Sequence, residues 1–481
     1  MTTDVHDWNE LTGDLSLPTL HRLYADGAVS PADVVRAIYR RIAARGADSV
    51  WISLADEAAA TRQAERLQSR GSPNDLPLYG VPFAVKDNID VADMPTTAAC
   101  PEFRYVPSGS AASVEKLLAA GAICIGKTNL DQFATGLCGI RSPYGAVASV
   151  FNAEYAAGGS SSGSAVAVGA GVVSFALGTD TGGSGRVPAG FNNVVGVKPT
   201  LGLVSLRGVV PNCRSLDTVS VFALTCRDGA EVLRVMSGFD PDDPFSRQAP
   251  VVTERSPHAG ASAALTFGIP APKDLIFFGD RESATLFDAA IKRLRRLGGN
   301  VVEIDFDPLL EAGRMMFEGP WVAERAASVP EFFKAHSDAP LPVTRSIMEK
   351  AQCWDGTDVF TYLHRLRALQ RTIEQSVWSR IDALVVPTAA TAYTIAELEQ
   401  EPIVRNNRNG YYSYFVNLLD LSAVAVPNGF LPRNGVAMGI TFIAPAWHDD
   451  FLATLGGRYE AALGVPPGSA HMPRSSGEPT L

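Results

Sequence analysis

The stretch AAGGSSSGSAV, residues 156–166, is followed by a smaller version of itself, TDTGGSGRVPAG, residues 179–190. Both could be flexible linkers, or both could belong to one site built on serine hydroxyls. A linker runs on into polar, low-complexity sequence or into a new domain. Here Ser164 leads straight into AVAVGAGVVSFALGTD, which is small and apolar. Its first half suits a tightly packed helix and its second half a buried strand. Glycine-rich loops beside buried elements occur where a backbone must approach something closely or present its N–H groups. The composition therefore favours a site.

A serine nucleophile needs a base to take its proton. Gly159, Ser161 and Gly163 satisfy G-x-S-x-G, but that elbow follows a strand, and NAEYAAGG does not read as one. It also needs a histidine, and none lies between His21 and His258. Of His258, His336, His364, His448 and His471, only His448 in APAWHDD follows a strand-like run, and a solvated loop histidine is the simpler reading. A cysteine nucleophile would have only Cys138, in GLCGI, to offer. The remaining base is Lys86, where the apolar run 81–85 ends in PFAVKDNI. A lysine in water has a pKa near ~10.4, and burial without a counter-charge lowers it by several units. Taken alone, Lys86 reads as a strand-end lysine paired with Asp87. Beside two Gly–Ser loops and no histidine, it reads as a base.

The elements that must hold these residues follow from capping and hydrophobic pattern. SPADVVRAIYRRIAARG places Ser30 at an N-cap, Pro31 at the first helical position and Gly46 past the end. SLADEAAATRQAERLQSRG is expected to be a second helix closing at Gly71, and SVEKLLAAGAICIGKTN a helix, a glycine and a strand. ALTFGIP, SATLFDAAIKRLRRLGG and NVVEIDF repeat a strand–helix–strand order, and DALVVPT, SAVAVPNGF and VAMGITFIAP suit buried strands. This alternation predicts an α/β fold with a parallel or mixed central sheet covered by helices. The 481 residues are 46% hydrophobic, enough for a sizeable core, and the formal charge of −10 with no basic run argues against nucleic acid or an anionic membrane. No run approaches the ~18 apolar residues of a membrane span. The N-terminus lacks the layout of a signal peptide, and the six scattered cysteines suit reduced thiols in the cytoplasm, with no metal-ligand cluster.

Lys86 in VPFAVKDNI, then GGSSSGSAVAV, then LGTDTGGSGRVPA resemble the amidase signature family, from about residue 30 to about residue 465. Ser160, the first serine of its run, lies 24 residues before Ser184, which matches that family's pattern. The resemblance implies a single large amidase domain over 1–465, its N-terminal part (about 1–75) helical, with a mixed sheet covered on both faces and a polar disordered tail at 466–481. It implies Ser184 as nucleophile, Ser160 in a cis peptide as proton relay, and Lys86 as base. The backbone N–H groups of Thr181, Gly182, Gly183 and Ser184 would form the oxyanion hole. It implies no metal and no cofactor, a homodimer and a cytoplasmic setting. Asp180 and Arg186 read as a structural ion pair, Asp131 as part of the pocket wall, and Ser161, Ser162 and Ser164 as partners for backbone groups.

FEGPWVAERAA (residues 317–327), NRNGYYSYFVNLLDLSAVAVPNG and KTNLDQFATGL resemble the allophanate hydrolase branch of that family. This implies a small planar anion, urea-1-carboxylate, as substrate, with loss of ammonia. Arg325 would hold its carboxylate, since a guanidinium donates two parallel hydrogen bonds; the alternative is a surface arginine on an amphipathic helix. Phe317 stands where that branch has a tyrosine involved with substrate. The second domain that handles decarboxylation in such enzymes is not expected in the tail, so that step would be spontaneous, fall to a separate protein, or belong to a further domain of a longer gene product. A general amidase acting on another small amide is the alternative within enzymes. A non-catalytic protein that binds a partner is the alternative outside them, and the intact Lys86, Ser160 and Ser184 argue against it.

Overall fold

Capping chemistry starts the chain as expected. In the computed structural model, which describes residues 14–70, 75–250 and 264–469, Ser30 and Asp33 form a reciprocal capping box at the helix Pro31–Arg45, and Gly46 follows its last turn at φ +70°. The next helix is shorter than its pattern suggests. Residues 53 and 54 belong to an edge strand, Trp51–Leu54, and the helix is Glu57–Arg70, with Asp56 accepting the N–H of Ala59 at 2.8 Å. Serine at 53 mimics a cap, but only Asp56 lies one turn from free amides. Gly71, the expected end of that helix, lies outside the described residues.

The main sheet takes eleven strands: β1 (Trp51–Leu54), β2 (Pro82–Lys86), β3 (Ile123–Thr128), β6 (Phe175–Asp180), β7 (Val195–Lys198), β8 (Thr218–Ala223), β9 (Thr266–Pro270), β10 (Asn300–Ile304), β11 (Ala383–Pro387), β12 (Leu421–Phe430) and β13 (Ala437–Pro445). β4 (Ala148–Ser149) and β5 (Asn152–Ala156) form a separate hairpin. The order across the main sheet is β1-β3-β2-β6-β8-β7-β12-β13-β11-β9-β10. β3, β2 and β6 run parallel, as do β11, β9 and β10, and the strands between them are antiparallel. The sheet is therefore mixed, as expected. β5 corrects the reading of NAEYAAGG as strandless, though this strand stays outside the main sheet, pairing with β4 and bridging Tyr155 to Thr394.

Side-chain alternation divides the interior in two. In β11, Ala383 and Val385 enter one core while Leu384 and Val386 enter the other, as a period of two requires of a strand covered on both faces. The larger core takes the helices Pro31–Arg45, Cys226–Met236 and Arg281–Arg296. The smaller one takes Leu309, Met315, Met316 and Trp321 from the helices Asp307–Glu318 and Trp321–Ser328, together with Leu137 and Leu216 from loops and Val187 from the short helix Val187–Phe191 that follows Ser184. The second motif thus shares a core, through Val187, with the helical layer that carries Phe317 and Arg325, whereas Ala157, Ala165 and Val166 of the first enter the larger core.

Residues 470–481, most of the expected tail, lie outside the described residues. Residues 466–469 are tied to the body: Asn193 Nδ2 donates to Pro466 O at 2.8 Å, and Ser469 N to Gly169 O at 2.7 Å. Among the described residues no helix is long and apolar enough to cross a membrane.

Candidate active site

β2 and β6 lie side by side in parallel, with Val85 opposite Leu177, so Lys86 at the end of β2 comes beside Thr179. Lys86 is wholly buried, and its Nζ is 2.7 Å from both Ser160 Oγ and Thr179 Oγ1. The pairing with Asp87 does not form; Asp87 faces Lys127 at 3.2 Å and accepts from Thr97. Loss of hydration disfavours the ammonium and brings Lys86 down to about 7, against the opposing pull of Asp131, Asp217 and Asp180. Near neutrality a large share of this lysine is free amine.

Ser160 follows a cis peptide with Gly159. Its carbonyl accepts the N–H of Asp131 at 3.0 Å. The buried Asp131 carboxylate in turn accepts from the N–H groups of Cys138 (3.1 Å), Gly139 (3.0 Å) and Arg141 (2.8 Å). A side chain at 159 would run into that carboxylate, which is why glycine stands there. Ser161 Oγ donates to Thr179 O at 3.1 Å and Ser164 Oγ to Leu177 O at 2.9 Å. These serines fasten the helix Ser162–Gly169 to β6, and Ser161 is not presented as a nucleophile. Cys138 is buried, which pushes its thiol up to about 12 and leaves it a poor nucleophile.

The Ser184 loop is organised by Asp180. Its carboxylate accepts the N–H of Gly183 at 2.8 Å and of Gly185 at 2.9 Å, and takes a bidentate pair with Arg186 at 2.9 and 3.0 Å. Burial alone would raise the Asp180 carboxyl, but the Arg186 guanidinium holds it below its ordinary range. Gly183 sits at φ +139° with Ser413 against it, a conformation that excludes a side chain. The Gly183 N–H, expected in the oxyanion hole, donates to Asp180 here. The N–H groups of Thr181, Gly182 and Ser184 have no partner among the described residues. Ser184 is 3% exposed, and its Oγ is turned to Gly136 O at 3.5 Å, with no hydrogen bond to Ser160.

A stretch whose polar residues had no role in the sequence reading clamps the Ser184 loop and the loop at Leu137. Asn406 Oδ1 accepts Leu137 N at 2.7 Å, and Asn409 Nδ2 donates to Leu137 O at 3.1 Å. Ser413 Oγ donates to Gly182 O at 2.7 Å, and Asn417 Nδ2 to Asp180 O at 2.8 Å. The signal was present: short polar residues at 406, 409, 413 and 417 recur at roughly helical spacing inside NNRNGYYSYFVN. Thr179 was also missed, as was Asp217, which accepts from Thr181 Oγ1 at 2.5 Å and is raised to about 6 by burial.

Arg325 is buried, at 3% exposure, so it is not a surface arginine. Its guanidinium stands 4.3 Å over the Phe317 ring, and its Nε and Nη1 have no hydrogen-bond partner. Phe317 packs on Tyr414 with centroids 4.6 Å apart, and Tyr414 lies against Gly182 of the Ser184 loop. On another side, the Cys213 thiol lies within the influence of Arg325, and the N–H of Cys213 donates to Asp217. The cation is therefore joined to the Ser184 loop through two chains of contact. A buried guanidinium with unsatisfied N–H groups favours an incoming anion. Among the described residues the acids close enough to share a cation are Asp274, Asp305 and Asp307, and the Lys273 ammonium already sits among them, 2.7 Å from Asp307.

Comparison with known proteins agrees with this geometry. The family model described as Amidase matches residues 33–452. Over 415 residues, 86% of this chain, the sequence is 46% identical to a urea amidolyase of Saccharomyces cerevisiae, but that match covers only 22% of the yeast protein. The chain thus spans about a fifth of the curated relatives it matches first. One component of the glutamyl-tRNA(Gln) amidotransferase of Symbiobacterium thermophilum is 33% identical over 93% of this chain and 96% of its own. Among solved structures, a Kluyveromyces lactis allophanate hydrolase superposes with a TM-score of 0.86 at 41% identity, covering 93% of this chain and 72% of that one. A peptide amidase of Stenotrophomonas maltophilia superposes with a TM-score of 0.78 at 26% identity, covering 94% and 98%. A sheet of this order, the three motifs in sequence and a family match over most of its length together establish that this chain belongs to the amidase family.

Proposed function

We propose that the chain hydrolyses allophanate, urea-1-carboxylate, releasing ammonia through Ser184, Ser160 and Lys86. The observation that carries the reading is a wholly buried lysine, lowered to about 7, at 2.7 Å from Ser160 and beside the Ser184 loop. Ser184 Oγ adds to the carbamoyl carbon, its proton passes to Ser160 Oγ, and the Ser160 proton passes to Lys86 Nζ. The carbonyl electron pair becomes an oxyanion held by the N–H groups of Thr181, Gly182 and Ser184. As the C–N bond breaks, Lys86 returns its proton through Ser160 to the leaving nitrogen, which departs as ammonia. Water then cleaves the acyl-Ser184 ester by the same relay, restoring the serine and leaving a second carboxylate on the product. This route requires Ser184 Oγ to turn from Gly136 O toward Ser160, and catalytic hydrogen bonds that are long without substrate tighten when it fills the site.

The carboxylate specificity rests on Arg325, whose buried, unpartnered nitrogens suit a planar anion. The likeness to the yeast urea amidolyase and the Kluyveromyces lactis allophanate hydrolase supports the same substrate. A product with two carboxylates would pass to a separate decarboxylating domain or protein, and the homodimer and cytoplasmic setting implied by the family belong to this reading. Phe317 favours a second reading, a general amidase for a less polar small amide, because an apolar ring forms the surface under Arg325. Ammonia release by the purified chain from allophanate, propionamide and glutamine tests both. Allophanate turned over with the highest kcat/KM supports the first, and propionamide in that place supports the second. No ammonia from any amide would overturn both and leave a non-catalytic protein that binds a partner.

A further inference from the structure

Tyr414 is buried, yet its hydroxyl has only long contacts, 3.4 Å to Asn406 O and 3.5 Å to Asn406 Nδ2. Both lie at the outer edge of hydrogen-bond range, so a buried phenol is left with no strong partner. Its ring bridges two parts of the site. Cδ1 would come within 3.2 Å of a side-chain carbon at Gly182, and the ring packs on Phe317, whose own ring carries the Arg325 guanidinium at 4.3 Å. Of these two packed rings, inclined at 57°, only Tyr414 bears a hydroxyl. Burial, set against the nearby cations of Arg141 and Arg325, keeps the phenol protonated well above neutrality, so it remains a donor throughout the working pH range. The cluster thus holds two sets of under-used donors around one aromatic ring: the Arg325 N–H groups and the Tyr414 O–H.

We infer that Tyr414 is a specificity-determining residue whose hydroxyl donates to the substrate's carboxylate end alongside Arg325, with the Phe317 ring as the apolar spacer between them. The inference rests on the reading of Arg325 as a carboxylate ligand. A carboxylate has two oxygens and about four acceptor directions. A guanidinium satisfies one edge of it, and a neutral hydroxyl adds a directional donor without a second desolvated charge. That arrangement rejects an uncharged amide twice, since neither set of donors would be met.

Tyr414→Phe removes the hydroxyl and keeps the ring. The ratio of kcat/KM for allophanate to kcat/KM for propionamide is expected to fall about tenfold or more, chiefly through KM for allophanate. In a Ser184→Ala background, which cannot turn substrate over, calorimetry with malonamate reads carboxylate binding directly, with malonamide as the uncharged control. Malonamate should bind at least about tenfold more weakly after Tyr414→Phe, and Phe317→Tyr added to Tyr414→Phe should recover part of that loss by returning a hydroxyl to the ring pair. A selectivity ratio and a malonamate affinity both unchanged by Tyr414→Phe would overturn the inference. So would equal losses for charged and uncharged ligands with no recovery in the double variant, since bracing Asn406 would explain those. If the wild-type chain released no ammonia from allophanate while malonamate still bound through Tyr414, the substrate reading would fail and this inference would stand.

Discussion

Residues 156–200 are buried throughout except Ala170, whereas the eighteen-residue helix Gly356–Ile373 buries only Leu366 and Ile373. The first region carries the serines, and the second belongs to the helical layer around Phe317 and Arg325. In the first, the polar side chains beside the serines are spent: Ser161 and Ser164 on β6, Asp180 on two amides and Arg186, with Asp131 from the neighbouring loop on three amides. In the layer to which the second helix belongs, the buried Arg325 of the helix Trp321–Ser328 keeps two nitrogens without partners. Chemistry that depends on positions held to a fraction of an ångström sits where packing and hydrogen bonds over-determine the backbone. Selection among substrates sits where donors are left open for a ligand to meet.

The largest effect should come from the over-determined side. Ser184→Ala is expected to fold with an unchanged melting temperature and to lose roughly three to six orders of magnitude in kcat, because members of a catalytic unit fail together. Turnover within about tenfold of wild type would assign the nucleophile elsewhere.

Lys86 comes next. Only its free amine is a base, and the amine fraction grows as pH rises through about 7. kcat/KM should therefore climb roughly tenfold per pH unit below that value and level off above it. Lys86→Arg should not restore activity, since guanidinium keeps its proton. An active arginine variant would reduce the position to a supplier of charge.

On the open side the losses should be smaller and selective. Arg325→Ala should cost roughly 2–4 kcal/mol in kcat/KM for allophanate, the scale of a lost bidentate charge-assisted contact, and should lower its ratio to propionamide. Equal losses on charged and uncharged amides would remove the carboxylate role. Ser161→Ala returns to the first region at a residue that only braces it. About 1 kcal/mol of stability should go with the hydrogen bond to Thr179 O, while turnover stays within about tenfold. Thermal melts and steady-state rates check both, and a loss matching that of Ser184→Ala would revive the elbow centred on Ser161. The smallest change is expected for Phe317→Tyr, within about threefold for allophanate, as one oxygen is added beside an existing donor set.

Legibility followed the same division. Caps and apolar runs located the helix Pro31–Arg45 and strands such as Ala383–Pro387 because their signals lie within one turn or one strand. The edge strand Trp51–Leu54 was hidden, since four half-exposed residues before a helical pattern carry no clear period. Lys86, Ser160 and Ser184 were readable as a trio from residue type, order and spacing. Asn406, Asn409, Ser413 and Asn417 were in view but had no assigned task, because their partners at Leu137, Gly182 and Asp180 lie more than 200 residues away in the chain.

The sequence by itself determined the mixed α/β class, the three motifs and the Asp180–Arg186 pair six residues apart, each carried by local pattern or short separation. Only the tertiary structure decided three further matters. Lys86 turned from its neighbour Asp87 to Ser160 and Thr179, because the β2–β6 register and full burial leave it those partners. Gly183 gave its amide to Asp180, because the loop turns at a left-handed glycine over that carboxylate. Arg325 became an interior cation, because the helix Trp321–Ser328 lays it on Phe317 rather than in water. Each depends on which distant segments exclude solvent from a charge, and neighbours along the chain do not specify that.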